Sequence, residues 1–239
     1  MMNYQSVESA NLEYASGSFE KFAKKAKVCV EQFTQKNKII DLIDENALEM
    51  EHFHRLLNTL FHQVYNGSSS FALGGAMCDS RLFKIREYFF HHAEEEQDHW
   101  KWIIQNLRDT GFTGPDPRQK FPSFPTQAYI SFAMFLASKQ PVARLAMAYV
   151  LEGLSGNLGV QYGQKAATQL KLSKEQMSFF VLHGELDAGH SQDILDVLEK
   201  APLSPYEWAY CEYAAECTLE LYRNMYNYAA RTVPRSIMV

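Results

Sequence analysis

The sequence predicts an all-α protein. Two observations predict it: apolar residues recur mostly at three- and four-residue steps, and sustained alternation with β-branched enrichment is missing. The periodicity places helices over residues 17–37, 43–66, 81–109, 126–139, 141–170, 173–199 and 204–231.

Each span has its own signal. The second should end at NGSSS, residues 66–70, which reads as a short turn. The third carries a face of Ile85, Tyr88, His92, Glu96, His99 and Ile103, and it stops at GFTGPDPRQKFPSFP, residues 111–125, where Gly111, Gly114 and four prolines forbid helix continuation. In the fifth, Glu152 shares a face with Leu145, Ala148, Ser155, Gly156 and Gly159, which leaves free volume beside a carboxylate or simply permits close helix packing. Ser173 followed by Gln176 resembles a capping box opening the sixth, whose face runs through Phe180, His183, Asp187, His190, Ile194 and Val197. The seventh, apolar from Trp208 to Tyr228, suits a homodimer interface.

Bulk properties narrow the function. With 239 residues the chain can bury a core, and a net charge of -5 with interspersed signs offers no electrostatic footprint for nucleic acid. No apolar run reaches the ~20 residues of a membrane span, and the first residues lack a secretory apolar stretch, so a cytoplasmic protein without a membrane partner is expected. Cys29, Cys78, Cys211 and Cys217 have neither paired nor framework spacing and read as small core residues of a reducing compartment.

The chemistry lies in two combs of identical spacing. His92, Glu96 and His99 in HHAEEEQDHW are H-x3-E-x2-H; His183, Asp187 and His190 in HGELDAGH are H-x3-D-x2-H. On a helix, positions i, i+4 and i+7 share one face, so each comb interrupts an apolar, core-facing stripe with three polar side chains. Burying imidazoles and carboxylates costs several kcal/mol per unpaired charge, which partners or a metal must offset. Taken singly, the first comb is compatible with a solvated charged face and the second with local His–Asp pairing. Together with Glu152 they favour a metal, and an imidazole and carboxylate set suits iron, manganese or zinc. His52, His54, His62 and His91 are given no role. Because the two combs flank the 111–125 loop, the chain is expected to form one domain over 1–239.

Three stretches carry a family resemblance: EEEQDHWKWIIQNLRDTGF, YVLEG around Glu152, and HGELDAGH. In order and separation they resemble the heme-oxygenase-like diiron oxidases and oxygenases, relatives of TenA, PqqC and CADD, over most of the chain from about residue 45. The resemblance implies a compact seven-helix fold and a nonhaem centre of two ferrous ions that consumes dioxygen as cosubstrate. It implies ligands at His99, Glu152, His183, Asp187 and His190, with His92, Glu95 or Glu96 completing the set. The substrate is expected to be a small metabolite, amino-acid- or amine-derived, undergoing N-oxygenation, desaturation or oxidative C–C cleavage. Arg81, Arg86, Arg144 and Lys165 are candidates by position to hold a substrate carboxylate. Relatives that make p-aminobenzoate carry a lysine where this chain has Tyr162, which argues against that activity. The alternatives are a metal-independent TenA- or PqqC-like enzyme and a non-catalytic interaction protein with a structural metal.

Overall fold

A computed structural model describes residues 17–231, apart from the side chains of residues 157 and 185–188. Among the described residues there is helix and no strand. The α-helical segments are α1 (Phe19–Gln32), α2 (Lys38–Asp44), α3 (Met50–Met77), α4 (Phe83–Glu96), α5 (Trp100–Asp109), α6 (Phe124–Lys139), α7 (Pro141–Leu154), α8 (Val160–Leu170), α9 (Ser178–Glu199) and α10 (Pro205–Ala229). A π turn, Ser155–Gly159, joins α7 to α8 in one continuous rod, so these residues form nine rods where seven helices were expected.

The differences have local causes. Side chains cap several of the starts: Ser18 accepts from the Lys21 amide, Asn37 from those of Ile39 and Ile40, and Ser204 forms a reciprocal box with Glu207. The Ser173–Gln176 box is present and opens a short 3-10 turn before α9. NGSSS does not turn: α3 runs on through it for 28 residues. Its polar side chains bond to helix carbonyls and so leave the backbone ladder intact, Asn66 to His62 O at 2.7 Å, Ser70 to Gly67 O at 2.8 Å and Ser68 across to Ala93 O of α4 at 2.7 Å. Gly74 and Gly75 then let α4 approach closely, because a Cβ at either would lie 3.0–3.2 Å from Phe89 or Phe90.

The apolar core has two parts. One gathers Phe22, Phe71, Ile85, Phe89, Tyr129, Leu145, Met147, Ile194 and Trp208 from α1, the end of α3, α4, α6, α7, α9 and α10. The other gathers Ile39, Phe53, Leu57, Leu60, Phe61, Ile103, Leu107 and Phe179 from α2, the start of α3, α5 and α9. Helices on both sides of the 111–125 loop feed both parts. The combs sit at the seam, since α4 belongs to the first and α5 to the second. The four cysteines are free, three of them buried. No helix among the described residues is long and apolar enough to cross a membrane.

Candidate metal centre

The first comb was expected on one unbroken helix. Instead α4 ends at Glu96, residues 97–99 form a turn, and His99 caps α5. Three-residue hydrogen bonds run through this break, Lys101 N to Asp98 O at 2.9 Å and Trp102 N to His99 O at 3.1 Å. A 3-10-like turn eclipses residues three apart, which brings the His99 ring under Glu96, with Nδ1 3.0 Å from Oε1. The second comb lies on α9, a helix of 22 residues without interruption.

The structure pairs the combs head to tail. His92 meets His190 and His99 meets His183, each pair of rings edge to face with centroids 4.7 Å apart. Along a helix, seven residues span ~10 Å, so the two ends of a comb cannot serve one point, and antiparallel pairing resolves them into two rungs. Glu152 joins the first rung and Glu96 the second. His92, Glu152 and His190 form one triad and Glu96, His99 and His183 another, the donor atoms of each within 4.8 Å of one another. The side chain of Asp187 lies outside the described residues.

The setting is dry. His92 is fully buried, and Glu96, His99 and Glu152 are buried too, whereas Glu95 is 40% exposed at the edge, 3.6 Å from His190 and 3.7 Å from His92. Both His92 and Glu96, two of the three alternatives for the first comb, therefore enter the site, in different triads. Neither ring nitrogen of His92 makes a hydrogen bond, although Nε2 lies 3.4 Å from Glu152 Oε1. The other carboxylate oxygen of Glu152 is 3.7 Å from His190 Nδ1. At Glu96 burial pushes the carboxyl pKa up, but the His99 contact and the nearby His183 and His99 charges outweigh it, and the net shift is downward. The site keeps that carboxylate ionised.

Aromatic rings wall each rung. Tyr88 stacks on His92 and Phe71 meets the same ring edge to face at 4.4 Å. Trp102 stacks on His99 at 4.3 Å, and Phe179 packs on His183 at 4.6 Å. Periodicity had flagged Tyr88 only as part of a face and Phe71 and Phe179 not at all, while Trp102 lies in one of the stretches that carry the family resemblance. Trp102, three residues beyond His99, was open to the same spacing argument as the combs. His52, His54, His62 and His91 stand outside both triads.

A cavity of about 140 Å³ adjoins the triads, lined at this end by Glu96, Glu152 and His183 and elsewhere mostly by apolar side chains including Phe71, Ile130 and Leu151. Ser155 and Gly159 of the π turn also line it. The residue that follows that turn packs closely on α9: a Cβ at Gly184 would lie 2.7 Å from Val160 Cγ2. Interruptions of this kind inside α-helices recur at functional sites, since they re-aim the flanking side chains.

Among solved structures, the chain resembles a domain of unknown function with a heme oxygenase-like fold from Shewanella denitrificans, with a TM-score of 0.81 and 20% identity over 89% of this chain and 91% of that one. It also resembles a TenA homologue from Pseudomonas syringae pv. tomato, TM-score 0.71 and 12% identity over 90% and 93% of the two chains. Heme oxygenase-2 from Synechocystis, solved with heme and NO, superposes with a TM-score of 0.66 at 15% identity over 87% and 85%. At these identities the likeness establishes the fold, which is heme-oxygenase-like. No curated protein matches the chain. Residues 61–223, which contain both combs and Glu152, match the family model of iron-containing redox enzymes, and the chain belongs to that family.

Proposed function

We propose that the protein is a nonhaem diiron oxidase or oxygenase that uses dioxygen to oxidise a small organic metabolite, amino-acid- or amine-derived. The observation that carries this reading is the pair of buried triads, each of two imidazoles and one carboxylate. The donors fit iron. A fully buried His92 with no hydrogen bond at either nitrogen would otherwise be costly, and nitrogen with carboxylate oxygen is the donor set of nonhaem iron.

In this reading His92, Glu152 and His190 would hold one ferrous ion and Glu96, His99 and His183 the other, with Asp187 placed as a further ligand by its spacing on α9. The chemistry supplied by a bound iron pair is reduction of dioxygen coupled to oxidation of the substrate. The protein's own residues set the conditions. Glu96, held ionised, and Glu152 supply negative charge to balance the metal, and carboxylates can change coordination mode as that charge rises. Phe71, Tyr88, Trp102 and Phe179 exclude water from the imidazoles and fix their planes. The adjoining cavity gives the substrate its place beside Glu96, Glu152 and His183.

Anaerobic iron loading followed by metal analysis tests the reading. We expect two irons per chain, oxygen uptake on exposure to air, and a sharp fall in iron for His99→Ala and His190→Ala. Iron without oxygen uptake would identify an interaction protein with a structural metal. A parent with no iron, whose activity survives His183→Ala and Glu152→Ala, would identify a metal-independent enzyme. No cysteine lines the cavity among the described residues, which favours the metal reading over a TenA-type enzyme with a cysteine nucleophile.

A further inference from the structure

Of the four cations placed by position near a substrate, three are used elsewhere or face away from the cavity. Arg81 is exposed and pairs with Glu207 at 2.7 Å, Lys165 pairs with Asp44 at 2.7 Å, and Arg86 does not line the cavity. Arg144 differs. It is 2% exposed and lines the cavity two helical turns before Glu152 on α7, a rise of ~12 Å with only Ala148 of the same face between them.

The guanidinium is held but not neutralised. Nε and Nη2 donate to Ser70 Oγ at 3.0 and 2.8 Å, and Ser70 in turn donates its own proton to Gly67 O, so the oxygen presents lone pairs to the arginine. The charged plane lies over the Phe71 ring, 4.0 Å from its centroid. Nη1 has no hydrogen-bond partner. Among the described residues no carboxylate is ion-paired with it; burial pushes its pKa down, and Tyr129, Glu152 and Glu96 oppose that shift through space, while a guanidinium is the side chain that keeps its proton in protein interiors. A buried, unpaired guanidinium costs several kcal/mol, and a bidentate carboxylate is the group that matches its fork.

Position links this charge to the triads. Phe71 lies under the Arg144 guanidinium with one face and meets the His92 ring at a right angle, so a single ring links the cation to the first triad. Near this end the lining is mixed, with the polar Gln63, Asn66 and Ser70 beside the rings and aliphatic groups of Tyr129, Ile130, Ala133 and Ala148, and a cavity of about 140 Å³ is close to the ~150 Å³ that takes up a benzene-sized ring. Among the described lining residues the only acids are Glu96 and Glu152, both in triads, so no separate acid awaits an ammonium.

We propose that Arg144 is the substrate-binding cation of this cavity, and that its ligand is an organic monocarboxylate with a compact apolar body lying between the guanidinium and the triads. As a statement about substrate, this rests on the diiron reading and narrows its amine-derived class to molecules bound by their carboxylate. As a statement about binding, it is independent of iron.

The test is therefore run on metal-free protein. Calorimetric titration compares 3-phenylpropanoate with 3-phenylpropan-1-ol and 3-phenylpropylamine, which share one body and differ in charge. The parent should bind the carboxylate at least tenfold more tightly than either. Arg144→Gln should bring all three within about threefold, Arg144→Lys should retain part of the preference, and Ser70→Ala, which frees the guanidinium from its anchor, should weaken it. No preference in the parent, or a preference unchanged in Arg144→Gln, overturns the proposal. Should Arg144→Gln fail to fold, an undiminished preference in Ser70→Ala overturns it equally. Iron content, measured separately on the parent, decides the diiron reading. A carboxylate preference in a parent that takes up no iron leaves Arg144 standing and the metal reading fallen.

Discussion

The two triads have the same composition and are built in opposite ways. Glu96, His99 and His183 draw two donors from one tight turn, with Glu96 and His99 already 3.0 Å apart by local backbone geometry. His92, Glu152 and His190 come from three helices, α4, α7 and α9, and their closest contacts are looser, at 3.4 and 3.7 Å. One triad is largely preset by the chain; the other exists only once the bundle has packed. Donors fixed by their own backbone give up less freedom when a ligand arrives, so equal composition need not mean equal affinity.

Removing one carboxylate at a time breaks this comparison most forcefully. On the diiron reading proposed above, Glu152→Ala and Glu96→Ala should each take iron from two per chain to one and cut oxygen consumption by more than the ~100-fold seen when outer-sphere partners of metal ligands are lost. The ion that remains should differ. In Glu152→Ala it sits in the locally built triad and should resist chelator longer than the ion left in Glu96→Ala. Equal resistance in the two variants, read by timed iron release to a chelator, would show that local construction confers no advantage.

The same contrast explains what the sequence could disclose. Periodicity sufficed for the all-α class, and on α9 the spacing of His183 and His190 translates directly into geometry because nothing interrupts the helix. On the first comb the spacing found the residues but not their division, because the break at 97–99 is made by Gln97 and Asp98, ordinary polar residues that carry no glycine or proline signal. NGSSS failed in the other direction: its turn-forming residues were overridden by side-chain bonds to helix carbonyls and by packing on α4. The π turn after Glu152 left no period to read. Arg144 was one of four equivalent cations until burial and the Ser70 contact set it apart.

A change that replaces no donor sharpens the comparison at smaller amplitude. Gly184 follows His183 on α9 and packs against Val160 just beyond the π turn, where an added Cβ would meet Val160 Cγ2 at 2.7 Å. Gly184→Ala forces α9 and the α7–α8 rod apart, an overpacking that costs about 1–3 kcal/mol and should appear as a lowered denaturant midpoint. The first triad spans those two rods through Glu152 and His190, so its ion should weaken more than that of the second. A uniform loss from both would mean that the displacement travels along α9 alone. Unchanged stability would mean that Val160 turns away without cost.

The smallest effect concerns the wall of the first triad. Tyr88 stacks on His92 with its hydroxyl buried and without a hydrogen bond, and burial, with Glu152, Asp193, Glu95 and Glu96 nearby, pushes its pKa far up, so it stays a neutral phenol. A buried hydroxyl without a partner bears its desolvation cost uncompensated, and deleting it while keeping the ring should be neutral or stabilising by up to about 1 kcal/mol. Tyr88→Phe should therefore leave the denaturation midpoint level or raised, and iron content at two per chain. The wall would then act on His92 through its ring alone, as Trp102 does on His99 in the other triad. A destabilisation beyond about 1 kcal/mol would instead show that the hydroxyl has a partner in solution, and would make the first triad a polar network that the second is not.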